Sequence, residues 1–307
     1  MFRRSRVSLA SAAAFVTIAQ VAGGQELLFR TGVELVNLGV TVTDRRGELI
    51  TDLTMDDFEI VEDGQTQAIR YFARGLPVDP GPDLRLGLLL DVSESMSEDL
   101  PFTRTAAIKF LNTLTDAVDV TVVDFDTEVR VARYSQREYA RLIERIRQQK
   151  ARGSTALYDA IGVYLDGAAG QQGRKIMLLY TDGGDTRSSI RYGELRDLVR
   201  ASDVTIYVIG ALDHQSASSR ASQRMLLQQI AETTGGQAFF PSSTKDLDSA
   251  YDRVLERIRA QYTIGYQSTN AVTDGAWRKV EIRVLRRGGR DYRIGSRNGY
   301  FGPYKRP

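Results

Sequence analysis

The spacing of apolar residues changes twice along this chain. Over residues 33–43 it is two: Val36, Leu38, Val40 and Val42 alternate with Asn37, Gly39, Thr41 and Thr43. That alternation predicts a half-buried strand, with Asp44-Arg45-Arg46-Gly47 as its turn. Phe58-Glu59-Ile60-Val61-Glu62 and the run 65–72 flank Asp63-Gly64, a strong hairpin signal. Residues 31–74 therefore read as a small antiparallel β unit. Residues 75–83 hold three of the seven prolines and read as a linker.

From Leu84 the pattern becomes continuous apolar runs interleaved with amphipathic segments. Strands are predicted at Leu84–Leu90, Val118–Phe125, Lys175–Thr181 and Val204–Gly210. Helices are predicted at Phe102–Thr115, Gln136–Gln149, Thr155–Ala168, Arg191–Ser202, Ser219–Thr233 and Thr244–Arg259. Such alternation predicts a parallel sheet covered on both faces, and Glu128–Tyr134 is a candidate antiparallel edge. After Ala260 the period returns to two in Tyr262, Ile264, Tyr266 and again in Val280, Ile282, Val284. Gly288-Gly289 then reads as a turn into Tyr292–Ile294. The expected fold class is α/β: a doubly wound, mostly parallel sheet over 84–259, with flanking antiparallel β segments from both termini (31–74 and 260–303). The simplest packing joins those segments in one sheet or sandwich with the α/β domain inserted between them; the alternative is two separate appendages. No fixed-period repeat or low-complexity tract interrupts the pattern.

The 42% apolar and 26% charged composition is ordinary for a globular chain. The absence of cysteine excludes disulfides, thiolate metal sites and a cysteine nucleophile. Residues 1–24 read as an export signal: Arg3, Arg4 and Arg6, then the apolar stretch Val7–Ala22, then small residues before Gln25. A retained anchor is the alternative reading, although about 16 apolar residues fall short of the ~20 a span needs. The implied location is secreted or periplasmic, at the cell envelope. The formal charge is +2, and without those three arginines 38 basic residues face 39 acidic ones. Nucleic acid is therefore not an implied partner.

The candidate chemistry lies where strands end. Asp91-Val92-Ser93-Glu94-Ser95 directly follows the first apolar strand and supplies a carboxylate and two hydroxyls. Thr155, in Gly153-Ser154-Thr155-Ala156-Leu157, and Asp182, in Tyr180-Thr181-Asp182-Gly183-Gly184-Asp185, add two more oxygen donors. Oxygen donors are what a hard cation such as Mg²⁺ prefers. In an open parallel sheet such loops gather beyond the carboxyl ends of the strands. A shell rich in neutral hydroxyls leaves the ion electron-poor and open to an incoming carboxylate. Helix capping by Ser95, Ser97 or Thr155, and a simple turn at Asp182-Gly183, are the bland alternatives.

In these residues the chain resembles the von Willebrand factor A-type (VWA) family, whose metal-ion-dependent adhesion site is built on D-x-S-x-S, a Thr and an Asp. Here those positions are Asp91, Ser93 and Ser95, then Thr155, then Asp182, and the resemblance covers about residues 84–259. It implies a Mg²⁺- or Mn²⁺-dependent protein-binding module, not an enzyme, whose partner donates an Asp or Glu carboxylate. Two other functions compete with it. A Mg²⁺-dependent phosphatase of the haloacid-dehalogenase type also places an Asp at a first-strand end, but it requires D-x-D, and Ser93 stands at the acid position. A structural envelope protein with a vestigial metal site is the other.

Further candidates carry less chemistry. His214 is the single histidine and reads as a surface-loop residue. Ser93 and Ser95 lack a base and a nucleophile elbow. Asp124 and Asp126 flank Phe125 and read as a solvated turn. Asp56-Asp57 reads as the start of a helical turn, and Asp185 as a loop-orienting residue. The basic C-terminal run (Arg278, Lys279, Arg283, Arg286, Arg287, Arg290, Arg293, Arg297, Lys305, Arg306) reads as the wet face of an antiparallel sheet, with anionic envelope surface as the alternative contact.

Overall fold

The computed structural model describes residues 35–75, 83–286 and 291–304. The export signal at 1–24 and nearly all of the linker at 75–83 lie outside them. Among the described residues no helix is long and apolar enough to cross a membrane.

The α/β part is built on six strands: β5 (Leu84–Asp91), β6 (Ala117–Phe125), β7 (Val129–Ser135), β8 (Arg174–Thr181), β9 (Val204–Gly210) and β10 (Ala238–Phe239). Their order is β10-β9-β8-β5-β6-β7. All neighbours are parallel except β7, which returns antiparallel on β6 as the edge strand. Six helices cover the sheet: α1 (Leu100–Thr113), α2 (Tyr139–Gln148), α3 (Leu157–Ala169), α4 (Tyr192–Ala201), α5 (Ala217–Thr233) and α6 (Thr244–Ala260). Alternate residues of β5 serve opposite faces. Leu84, Leu86, Leu88 and Leu90 pack beneath α1, α2 and α6, whereas Leu89 packs beneath α3, α4 and α5. Burial on both faces explains why these strands read as unbroken apolar runs.

The chain leaves β5 toward β6 on one side and reaches β8 on the other. The carboxyl ends of β5 and β8 therefore flank the topological switch point, where ligands of such sheets bind.

The β segments at the two ends of the chain form two four-stranded sheets. One has the order β13-β1-β11-β4, from β1 (Val36–Thr43), β4 (Ile69–Arg74), β11 (Tyr262–Tyr266) and β13 (Arg293–Gly295). The other has the order β14-β12-β2-β3, from β2 (Phe58–Glu62), β3 (Gln65–Gln67), β12 (Trp277–Val284) and β14 (Gly299–Phe301). The inner faces meet in one core of Leu38, Val40, Phe58, Ile60, Tyr262, Ile264, Val280 and Tyr300. The Asp63-Gly64 hairpin forms, with φ of 47° and 85°. The run 65–72 does not remain one strand, because it breaks at Ala68. β3 stays with β2, while β4 crosses to the other sheet beside β11.

Sandwich and α/β part are tied by Arg174, at the start of β8. Its guanidinium donates to Gln261 Oε1 (2.8 Å), to Gly75 O (3.0 Å) and to Ile258 O near the end of α6. Gln261 is fully buried and reaches Thr205 on β9 (3.2 Å). Among the described residues no carboxylate is an Arg174 partner, and burial lowers its pKa to about 10. Arg174→Lys keeps the charge but loses the planar fork. It is expected to cost about 1–3 kcal/mol, read as a lower urea midpoint.

Two arginines of the basic C-terminal run depart from the wet-face expectation. Arg278 is buried and bonds Asn270 O (2.8 Å) and the Ser268 hydroxyl (3.1 Å). Arg297 donates to Asn37 O (2.8 Å) and Ser202 O (3.4 Å), and so spans the two parts. Each finds backbone carbonyls that period-two reading cannot anticipate. Arg287, Arg290, Lys305 and Arg306 lie outside the described residues.

Candidate metal centre

Asp91 is the last residue of β5 and is completely buried. Its Oδ1 accepts from the Ser93 amide (3.0 Å) and its Oδ2 from the Thr181 hydroxyl (2.6 Å). Ser93 is buried as well, and its hydroxyl lies 3.1 Å from that of the exposed Ser95. Asp182, 4% exposed, follows β8. It accepts from the Gly184 amide (3.1 Å) and from Gln215 Nε2 (2.9 Å). Thr155, 5% exposed, sits just before α3.

Three loops far apart in sequence close on one another through hydrogen bonds. The Asp91 loop reaches the Thr155 loop through Glu94 N to Gly153 O (3.1 Å) and Arg152 N to Val92 O (2.9 Å). The Thr155 loop reaches the Asp182 loop through Thr155 N to Thr186 Oγ1 (3.0 Å), with Thr186 N and Arg187 N returning to Thr155 O (2.9 and 3.0 Å). Thr181 to Asp91 closes the triangle. All five predicted residues, Asp91, Ser93, Ser95, Thr155 and Asp182, lie on these joined loops.

The capping alternatives do not describe these residues. The position before α1 is Asp99, with no side-chain cap, and the position before α3 is Ala156. Ser95 lies inside a short 3₁₀ turn, Glu94–Met96. Neither Ser95 nor Thr155 is spent on a helix terminus.

The electrostatics are one-sided. Burial pushes Asp91 up to about 7; hydrogen bonds from Ser93 and Thr181 oppose this, and the charge of Asp182 adds to it. Among the described residues, no Lys, Arg or His pairs with Asp91 or Asp182. Two buried carboxylates on adjoining loops, with no basic partner among the described residues, are costly unless a cation joins them. The oxygen-only donors fit Mg²⁺ or Mn²⁺. No group of three or more His, Cys, Asp or Glu is arranged for a metal among the described residues.

Two site neighbours, Thr181 and Gln215, had no role in the sequence reading, whereas Asp185 takes the loop-orienting place expected of it. Thr181 receives the Gly183 amide (3.1 Å) while donating to Asp91, and so couples two loops. Gln215 comes from the loop after β9 and carried no local signal. Asp185 accepts from the Tyr158 amide (3.2 Å) and the Ser188 hydroxyl (2.5 Å), fixing the loop to α3. Asp56-Asp57 forms the 3₁₀ turn Met55–Asp57, boxed by Thr54. His214 is exposed, 3.4 Å from Glu98 and 3.9 Å from Asp99.

Asp124 and Asp126 do not form a solvated turn. Both are 3% exposed. Asp124 pairs with Arg130 (2.8 Å) and with Arg145; Asp126 pairs with Arg130 (2.8 Å) and Arg152 (3.0 Å). Arginines brought in from β7, α2 and the Thr155 loop satisfy carboxylates that would otherwise be unpaired in the interior.

The von Willebrand factor type A domain family matches residues 86–253, more than half of the chain. The chain belongs to that family. No curated protein matches it in sequence. Among solved structures, the chain aligns with the PilB minor pilin from Streptococcus sanguinis at 12% identity and a TM-score of 0.47, covering 60% of this chain and 63% of that one. It also aligns with a von Willebrand factor type A protein from Catenulispora acidiphila (13% identity, TM-score 0.48, 89% and 75% covered). A third is the vWF domain of the type V pili tip protein Mfa5 from Porphyromonas gingivalis (11%, 0.49, 58% and 95%). Alignments this distant say nothing about ligand or partner. The chain spans less than two thirds of the pilin's length.

Proposed function

We propose that this chain is an exported protein-binding module. In it Asp91, Ser93, Ser95, Thr155 and Asp182 hold Mg²⁺ or Mn²⁺, and the ion takes a carboxylate from an Asp or Glu of a protein partner. The observation that carries the reading is the closure of three remote loops around two buried carboxylates that have no basic partner. The hydroxyls of Ser93, Ser95 and Thr155 add neutral oxygens, and Asp91 and Asp182 balance charge. When bound, the ion supplies a Lewis-acidic position for an anionic oxygen. The apolar stretch Val7–Ala22 behind three arginines supports export, to a secreted or periplasmic place at the envelope.

The role is binding rather than turnover. A phosphatase of the type considered above needs a lysine beside its aspartate. Lys175 lies at the opposite end of β8, where it bonds Asp203 (2.7 Å). Six residues of strand, roughly 20 Å, separate it from the Asp91 end. The third reading, a structural envelope protein whose site is vestigial, differs from the first in metal dependence alone.

Titration calorimetry tests both. The wild-type protein is expected to bind one Mn²⁺ or Mg²⁺, and Asp182→Ala to weaken that binding at least tenfold. Immobilised wild-type protein is then expected to release partners captured from an envelope extract when EDTA is added, and to regain them with Mg²⁺. Equal affinity in Asp182→Ala would remove the metal site, and capture indifferent to EDTA would leave the vestigial reading standing.

A further inference from the structure

The segment that delivers Thr155, residues 149–156, has no regular structure of its own. It is held from outside, by the Asp91 loop, by Thr186 and Arg187, and by the turn between β6 and β7. Ala156 N donates to Asp126 O (2.8 Å), Ser154 N to Thr127 Oγ1 (2.9 Å) and Arg152 Nε to Asp126 Oδ2 (3.0 Å). Gly153 adopts φ of 70°, and a Cβ there would lie 2.5 Å from Thr127 Oγ1. The loop is thus moulded onto residues 126–127 at a contact too close for another side chain.

We propose that Asp126 is a positioning residue for the cation site: through its carbonyl, its carboxylate and the Thr127 hydroxyl beside it, it sets the Thr155 loop against the Asp91 loop. The proposal rests on the metal reading above for its purpose, and on these contacts alone for the positioning.

Asp126 is itself over-determined. Its carboxylate accepts from the Glu128 amide (2.9 Å), from Arg130 twice (3.0 and 2.8 Å) and from Arg152. Burial alone would raise its pKa, but the hydrogen bonds from Arg130, Glu128 and Arg152 outweigh it and hold the group at about 2. The carboxylate is therefore held in its charged form well below neutral pH. Arg152, by contrast, keeps 66% of its side chain exposed. An ion pair that open adds little stability, so its contribution is to place the loop.

Asp124 supplies the control. It is equally buried, two residues earlier on β6, and shares Arg130. Its other partner is Arg145 on α2, however, and none of its bonds reaches residues 149–156. Loss of either carboxylate weakens the same arginine cluster, but only loss of the Asp126 carboxylate also removes a bond to the loop, through Arg152, and loosens the 126–128 turn to which the Ser154 and Ala156 amides donate.

The test compares Asp126→Asn with Asp124→Asn, with Arg152→Ala as an exposed variant that keeps the fold. Amide hydrogen exchange is measured without metal, and Mn²⁺ affinity separately. Asp126→Asn is expected to speed exchange at Ser154 and Ala156 at least tenfold and to weaken Mn²⁺ about tenfold. Arg152→Ala moves both in the same direction, whereas Asp124→Asn lowers the melting temperature and leaves both within twofold. Unchanged exchange in Asp126→Asn, or equal loosening in Asp124→Asn, overturns the proposal. A wild-type protein that binds no Mn²⁺ yet shows the exchange contrast sinks the metal reading and leaves Asp126 as the anchor of the loop.

Discussion

Asp91→Asn is expected to abolish cation binding and, in the absence of cations, to make the protein more stable above pH 7. The two effects have one cause. Asp91 is buried, and the charge of Asp182 acts on it. Without a cation, burial foremost, and then Asp182, hold its proton on up to about pH 7, whereas the unfolded chain releases it near 3.8. The folded state therefore binds more protons than the unfolded state between those values. Stability must fall as pH rises through that window. A displacement of about three units corresponds to on the order of 4 kcal/mol. Asparagine has no charge to lose, so its stability stays level across the window. Some of the gain is returned, because an amide NH₂ now faces the Ser93 amide or the Thr181 hydroxyl, both donors to Asp91. A mismatch of this kind costs about 1–3 kcal/mol.

The net expectation is a variant about 1–3 kcal/mol more stable than the wild type at pH 8 in EDTA. With Mg²⁺ the order reverses. The wild type gains stability by mass action, as anything that binds the folded state alone must provide, and the variant, its affinity down at least a hundredfold, does not. Thermal melts of both proteins at pH 5 and pH 8, each with EDTA and with Mg²⁺, give the eight values needed. A variant that melts below the wild type under all four conditions would show that Asp91 serves the fold and not an ion.

The central sheet was readable because its strands are buried on both sides. Leu84–Leu90, Lys175–Thr181 and Val204–Gly210 are apolar at nearly every position, and the structure extends the first only to Asp91. The D-x-S-x-S stretch was readable for a related reason: polar residues that follow such a strand need a purpose. Pairings across long distances were not readable. β10, two residues long, has no periodicity to detect. The break at Ala68 sends β3 and β4 to different sheets, and an alternating run does not say which partner each half will find. Asp126 was misjudged for the same reason. Its burial depends on Arg130 and Arg152, which lie 4 and 26 residues on and reach it only once β7 and the Thr155 loop are in place. Gln215 likewise acquires its role at Asp182 only when β9 lies beside β8.

Glu62→Ala should be among the most damaging single changes outside the metal centre. Glu62, on β2, is 2% exposed. It accepts from Tyr266 (2.6 Å), Tyr300 (2.9 Å) and Ser268 (2.5 Å), with the buried Arg278 guanidinium 3.9 Å away. Tyr266 belongs to β11 in the facing sheet, so this carboxylate fastens the two sheets, and with them the two ends of the chain. Its removal leaves a buried cation without an acid and strips three hydroxyls of their acceptor. Loss of one partner from a buried pair costs about 3–5 kcal/mol. Glu62→Gln keeps the shape and one acceptor, and should cost about 1–3 kcal/mol. Urea unfolding separates the two parts by signal. Trp277, the single tryptophan, sits on β12 in the sandwich, while far-ultraviolet dichroism is dominated by the six helices of the VWA domain. Arg174, Arg297 and Gln261 bond across the junction, so the two signals should move together in Glu62→Ala. If fluorescence shifts and dichroism stays, the sandwich unfolds alone, and those three side chains do not couple it to the domain it carries.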